Sequence, residues 1–130
     1  MIDLALILFL SLAARDEAAV RYDESVARYI EAVRSNAEDV ATKRDEMGAL
    51  HVALRAIVER ERMREIDLAI DVRTLRDAGT PETDEELRRR DEALRILRSE
   101  RERFLARRTV VEREQQAAIA AALVTSPSTP

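Results

Sequence analysis

The stretch DAGTPET, residues 77–83, separates two long runs of helix-forming residues. Gly79 can adopt the left-handed backbone conformation that ends a helix. Thr80 can then cap the next helix, with Pro81 at its first position, where a missing N–H costs nothing. Acidic residues follow and place negative charge near the positive end of that helix dipole. The stretch therefore predicts a sharp turn between two helices.

Three helical segments are expected, covering roughly residues 3–34, 36–77 and 81–123. At a rise of 1.5 Å per residue, the last two are each about 60 Å long. A short loop between two long helices brings them back side by side, so they are predicted to form an antiparallel hairpin. The boundary near residue 35 is less determined. Residues 35–38 fit a capping box with Ser35 as the cap, but an uninterrupted helix costs little propensity there.

The composition supports an all-α fold. Charged residues make up 37% of the chain, which has no Trp or Cys and two Gly. That balance is typical of long helices and coiled coils. Apolar residues also recur at heptad spacing, as in a coiled-coil seam. The main column holds Ala19, Val26, Val33, Val40, Met47 and Leu54, and its companion holds Tyr22, Tyr29, Leu50 and Ile57. The register is predicted to slip near residues 59–62 and to resume with Met63, Ile66 and Ile70. After the turn, Leu97, Phe104, Val111 and Ala118 form another column.

Residues 49–58 are apolar over more than one helix face. One neighbouring helix cannot cover such a stretch. Either the first helix folds back to complete a three-helix bundle, or another protein chain supplies the third layer. The candidate contact residues in this stretch are Leu50, Leu54, Ile57 and Val58.

The N-terminal helical segment is apolar from Leu4 to Ala14, with Ser11 as its one polar residue. A membrane-spanning helix needs about 20 apolar residues, more than this run supplies. Asp3 stands where a signal peptide carries positive charge, which disfavours cleavage. We expect the run to be buried against protein, with insertion into a membrane as the alternative; either implies a partner. The candidate contact residues are Leu4, Leu6, Ile7, Leu8, Phe9 and Leu10.

These features divide the chain into three parts. Residues 1–14 form the apolar segment for assembly or membrane contact, and residues 15–123 form the long-helix domain with its turn at 77–83. Residues 124–130 contain two prolines and small polar residues, which predicts an extended or disordered tail.

The sequence offers little material for catalysis. His51 is the one histidine, there is no cysteine, and the two glycines are isolated at 48 and 79, so no phosphate loop is present. We therefore expect no enzyme activity, cofactor, metal or small-molecule substrate. The net charge of −4 also lacks the basic excess of a typical nucleic-acid binder.

Two arginines, Arg101 and Arg108, fall in the inward-facing register of the last helix. Buried arginines are usually paired. We predict acidic partners for them, on the facing helix or on another subunit. The alternative is that the register drifts and both side chains extend outward to solvent. Polar seam residues of this kind often fix register and oligomeric state.

The sequence thus predicts a non-enzymatic structural or assembly subunit that acts through helix–helix contacts in a homo-oligomer or a larger complex. One alternative is a membrane-associated helical rod anchored by residues 4–14. Another is a helical adaptor or chaperone that binds partner helices. An intracellular location, or a place in a large assembly, is favoured over a membrane-associated one.

Overall fold

The computed structural model describes residues 4–125, which form three long helices: α1 (Leu4–Arg34), α2 (Val40–Ala78) and α3 (Asp84–Thr125). A short 3₁₀ turn, Pro81–Thr83, precedes α3. No strand occurs within these residues. The predicted all-α fold is confirmed.

The chain turns sharply between α1 and α2, around Asn36. Asn36 has a left-handed backbone, with φ of 53°. Its N–H donates to the carbonyl of Val33, and the N–H of Ala37 donates to the carbonyl of Ala32. These two bonds form a Schellman motif, which satisfies carbonyls at the end of a helix. Asparagine tolerates this conformation better than most residues that carry a side chain.

The capping box predicted at residues 35–38 is absent. The Ser35 hydroxyl donates back to the carbonyl of Glu31, within the last turn of α1. The N-cap of α2 is instead Asp39, whose side chain makes no capping hydrogen bond. The polar residues here therefore end one helix rather than start the next.

The second turn matches its prediction. Gly79 is left-handed, with φ of 60° and ψ of 26°, and its N–H donates to the carbonyl of Leu75. Thr80 is the extended N-cap residue before Pro81, although its hydroxyl does not cap a backbone N–H. That hydroxyl donates to the hydroxyl of Thr83, which itself donates to the Thr80 carbonyl.

The two turns make an up-down-up bundle. The predicted hairpin of α2 and α3 is present, and α1 folds back against both helices. Arg15 of α1 lies level with Glu61, and Tyr22 lies level with His51, so α1 and α2 are antiparallel. The third layer over residues 49–58 is therefore supplied by the same chain.

The core follows the predicted heptad columns in the part of the bundle nearer the α1–α2 turn. One cluster contains Ala19, Tyr22, Val26, Leu54 and Phe104, and a second contains Tyr29, Val33 and Ala122. The predicted slip of register in α2 is wrong. Met63, Ile66 and Ile70 are 48%, 41% and 57% exposed. The inward positions are Glu61, Glu65 and Val72, so the seam runs on through two glutamates.

Two predicted boundaries differ from the helices. The division at residue 14 falls inside α1, which is one helix from Leu4 to Arg34. Val124 and Thr125, the first residues of the predicted tail, belong to α3. Residues 126–130 lie outside the described residues.

Candidate protein-interaction surfaces

The outer face of the first turns of α1 is apolar and uncovered. Leu6, Phe9 and Leu10 are 52%, 67% and 58% exposed. Their spacing of three and four residues places them on one face of the helix. We call these three residues the N-terminal ridge. Burying a Leu or Phe side chain fully gains about 1.5–3 kcal/mol of free energy. Covering the ridge with a partner would therefore contribute a favourable free energy that the isolated chain lacks.

The opposite face of the same turns is attached to the bundle. Leu4, Ile7 and Leu8 are half-buried and border a crevice that Leu68 and Leu97 also line. The six predicted contact residues of the run therefore divide equally. Three of them pack within the chain and three form the ridge.

The apolar stretch 49–58 divides in a similar way. Leu54 is 3% exposed, and Leu50, Ile57 and Val58 are half-buried against the other helices. These four predicted contact residues thus face the bundle interior or its edges. Val52, on the outer side of α2, stays 68% exposed.

A buried ion pair joins α1 to α2. Arg15 and Glu61 each have about 1% of the side chain exposed, and Arg15 Nη1 lies 3.2 Å from Glu61 Oε2. Ser11 Oγ donates to Glu61 Oε1 at 3.3 Å. The guanidinium carbon of Arg15 lies 4.1 Å from the centre of the Phe104 ring, a cation–π contact. Burial raises the pKa of Glu61 above its ordinary value, and Arg15 opposes that rise without cancelling it.

The sequence contains a signal for this pair in its heptad spacing. One heptad step beyond Leu54 reaches Glu61, and one step before Tyr22 reaches Arg15. Both columns therefore pointed to these residues. Neither residue was predicted, because Glu61 falls within four consecutive charged residues, 59–62, that interrupt the apolar pattern.

Arg101 and Arg108 have the acidic partners that their register predicts. Arg101 donates from Nη2 to Glu65 Oε1 of α2, which also accepts from Arg98. Arg108 donates to both oxygens of Asp23 in α1, at 2.9 and 3.0 Å. Burial acts to lower the pKa of Arg108, but the bonds to Asp23 outweigh it and the net shift is upward. Arg108 therefore stays charged.

These three ionic contacts each join a different pair of helices. Arg15–Glu61 joins α1 to α2, Glu65–Arg101 joins α2 to α3, and Asp23–Arg108 joins α1 to α3. A sliding movement of any helix by one turn would separate at least two of these contacts and leave buried charge unpaired. Their role in setting the register stays a prediction.

A groove lies between α2 and α3, above Tyr22 of α1. Its volume is about 750 Å³, and its floor contains Tyr22, Leu54 and Phe104. Met47 and Val58 line the α2 wall, and Leu105, Arg108 and Glu112 line the α3 wall. We call this feature the α2–α3 groove. No residue of the N-terminal ridge belongs to it.

His51 also lines this groove, and its ring lies 5.0 Å from the Tyr22 ring, tilted by 41°. The contact is a packing contact. Within residues 4–125, no cluster of three or more His, Cys, Asp or Glu side chains is placed to hold a metal ion.

None of the helices described here has a stretch that combines the length and the apolar character needed to cross a membrane.

No protein-family model, curated protein or solved structure matches the chain.

Proposed function

We propose that this protein is a non-enzymatic structural subunit that joins other protein chains through the N-terminal ridge. The observation that carries the proposal is the exposure of Leu6, Phe9 and Leu10 on a helix whose other face is held in the bundle.

The bundle gives this ridge a fixed shape. Ser11 directly follows Leu10 of the ridge, and Arg15 lies about one turn beyond Ser11. Both side chains donate hydrogen bonds to Glu61 of α2. The first turns of α1 are thus presented on a stable scaffold rather than on a free arm. Contiguous exposed apolar surface of this kind marks interaction sites. A rigid ridge also binds with a smaller loss of conformational entropy than a segment that must fold on contact.

The test is the native mass of the full chain in detergent-free buffer, measured by light scattering after size exclusion. We expect a mass above the 14.8 kDa of one chain, or co-purification of a defined protein partner. Replacing the ridge with Leu6→Gln, Phe9→Gln and Leu10→Gln should abolish the association, because Gln removes the apolar surface and keeps helix propensity.

The matched control removes three exposed apolar side chains elsewhere, through Val52→Gln, Ile70→Gln and Val110→Gln. These residues are 68%, 57% and 54% exposed. If this variant loses association as fully as the ridge variant, general surface hydrophobicity is responsible and the proposal is wrong. An unchanged mass for the control supports the ridge.

Membrane association is the second candidate function, because the same ridge could enter a lipid interface. Asp16 and Glu17 follow the apolar run and are exposed, which disfavours an anionic membrane surface. Flotation of the full chain with phosphatidylcholine vesicles tests this alternative. Flotation that the ridge variant loses, together with a monomeric mass in buffer, would replace the first proposal by the second.

A further inference from the structure

The wall of the α2–α3 groove contains a glycine that no contact within the chain requires. Gly48 is the ninth residue of α2, more than two turns inside the helix, and it lies on the wall of the groove. A Cβ built on Gly48 meets no atom within 4 Å. Glycine is a poor residue for a helix interior, and contacts within this chain do not require it here. A glycine at such a position allows another backbone to approach closely.

The groove is lined by three arginines and two glutamates, and two of the arginines have no acidic partner within residues 4–125. The glutamates, Glu59 and Glu112, pair with Arg62 and Arg108. Arg55 on α2 and Arg113 on α3 both line it. Neither forms an ion pair with any residue between 4 and 125, whereas Arg108 beside them is held by Asp23. An occupant with an apolar side and an acidic end would therefore complement the groove.

The N-terminal run of this same chain has both properties. Residues 4–14 carry no charge. Arg15 comes next and is buried with Glu61, so the first exposed charges after the run are those of Asp16 and Glu17. The lengths also agree, since the run is about 15 Å long and each groove wall spans about 18 Å at 1.5 Å per residue. The ridge cannot reach the groove of its own chain, because its helix is fixed in the bundle by Arg15 and Glu61.

We infer that the α2–α3 groove binds the N-terminal ridge of a second copy of this chain. This inference rests on the proposed function and specifies its partner. Ridge and groove are different surfaces, so the contact is heterologous, and each copy can bind one neighbour at each surface. Copies therefore assemble head to tail, into a ring or an open filament.

The experiment uses two variants that each disable one surface. The ridge variant is Leu6→Gln, Phe9→Gln and Leu10→Gln, and the groove variant is Gly48→Gln. Gly48→Gln fills the open space above α2 and raises helix propensity, so folding is retained. Ala49→Gln is the matched control, because Ala49 is exposed beside Gly48 but does not line the groove.

Native mass spectrometry of the full-length chains gives the readout. We expect assemblies of several copies for the wild type and for Ala49→Gln, and monomers for each surface variant alone. A 1:1 mixture of the two surface variants should form dimers with one chain of each and nothing larger, since one functional ridge and one functional groove remain. The apparent dissociation constant of the wild-type contact should rise at least tenfold in Gly48→Gln.

Assembly of Gly48→Gln with wild-type affinity, or a mixture that stays monomeric, overturns the groove as the docking site. In that case a ridge variant that still fails to assemble leaves the proposed function standing. A wild-type chain that is monomeric at every concentration and binds no other protein, or that is recruited only by vesicles, overturns both proposals. A chain that is recruited only by a different protein overturns the second copy as the occupant and leaves the proposed function standing.

Discussion

Removing one member of the Arg15–Glu61 pair should be far more harmful than removing both. Each side chain is about 1% exposed, so neither charge can turn to water when its partner is lost. Breaking a buried pair by removing one partner typically costs about 3–5 kcal/mol, whereas replacing both by apolar residues is often neutral or stabilising. The raised pKa of Glu61 agrees with this, because it means that burial outweighs the attraction of Arg15.

The magnitude can be measured with a double-mutant cycle. Arg15→Met and Glu61→Leu should each lower the free energy of unfolding by about 3–5 kcal/mol at pH 7, and the double variant should lie within about 1 kcal/mol of the wild type. The implied coupling of at least about 5 kcal/mol exceeds the range of about 0.5–3 kcal/mol that is usual for two side chains in contact. Urea denaturation followed by far-ultraviolet circular dichroism provides the free energies. Additive effects, or single variants that lose less than about 1 kcal/mol, would refute the buried pair.

Further predictions concern single positions. Because the folded-state pKa of Glu61 lies above its ordinary value of 4.5, the folded chain binds the proton more tightly than the unfolded chain. Glu61 should therefore add stability as pH falls through that raised pKa towards 4.5, and a Glu61→Gln variant measured over the same range should lack this gain. Asn36→Ala should lower the free energy of unfolding by about 1–2 kcal/mol, because Asn36 has a left-handed backbone conformation that alanine disfavours. Asn36→Gly should not lower it, because glycine adopts that conformation readily. Gly48→Ala should raise the free energy of unfolding of the monomer by about 1 kcal/mol, because its helix position has open space for a methyl group; an unchanged or lower value in thermal denaturation would contradict this.

The fold could be predicted from the sequence where local chemistry determined it. Gly79 and Pro81 marked the second turn because few residues other than glycine and proline suit those backbone positions. The turn at Asn36 was left open by the sequence, because serine and glutamate at capping-box spacing also occur at the end of a helix. Only the backbone conformation of Asn36 distinguishes the two cases.

The register of α2 could not be predicted from hydrophobicity alone. Ile66 and Ile70 are apolar but exposed, whereas Glu61 and Glu65 are charged but buried. A glutamate becomes acceptable inside the bundle because an arginine from another helix reaches it, and that partner is distant along the chain. Arg15 and Glu61 are 46 positions apart, for example. Heptad spacing located these positions, but it could not show that the charges would compensate each other.

The candidate surfaces show the same limit. The sequence identified the apolar run at residues 4–14, because its composition alone is unusual for a surface helix. It could not separate Leu6, Phe9 and Leu10 from Leu4, Ile7 and Leu8, since that division depends on which face α2 covers. The α2–α3 groove was not predicted, because it depends on how the three helices pack together, which the sequence does not give.

The central claim is that contact with other chains is the function of this bundle, and sedimentation velocity of the full chain over a wide concentration range tests it most directly. We predict a sedimentation coefficient that rises with concentration in detergent-free buffer and that returns to the value of one 14.8 kDa chain when the ridge is replaced by glutamine. A constant monomer value for the wild type at every concentration, with no protein partner that shifts it, would contradict the account.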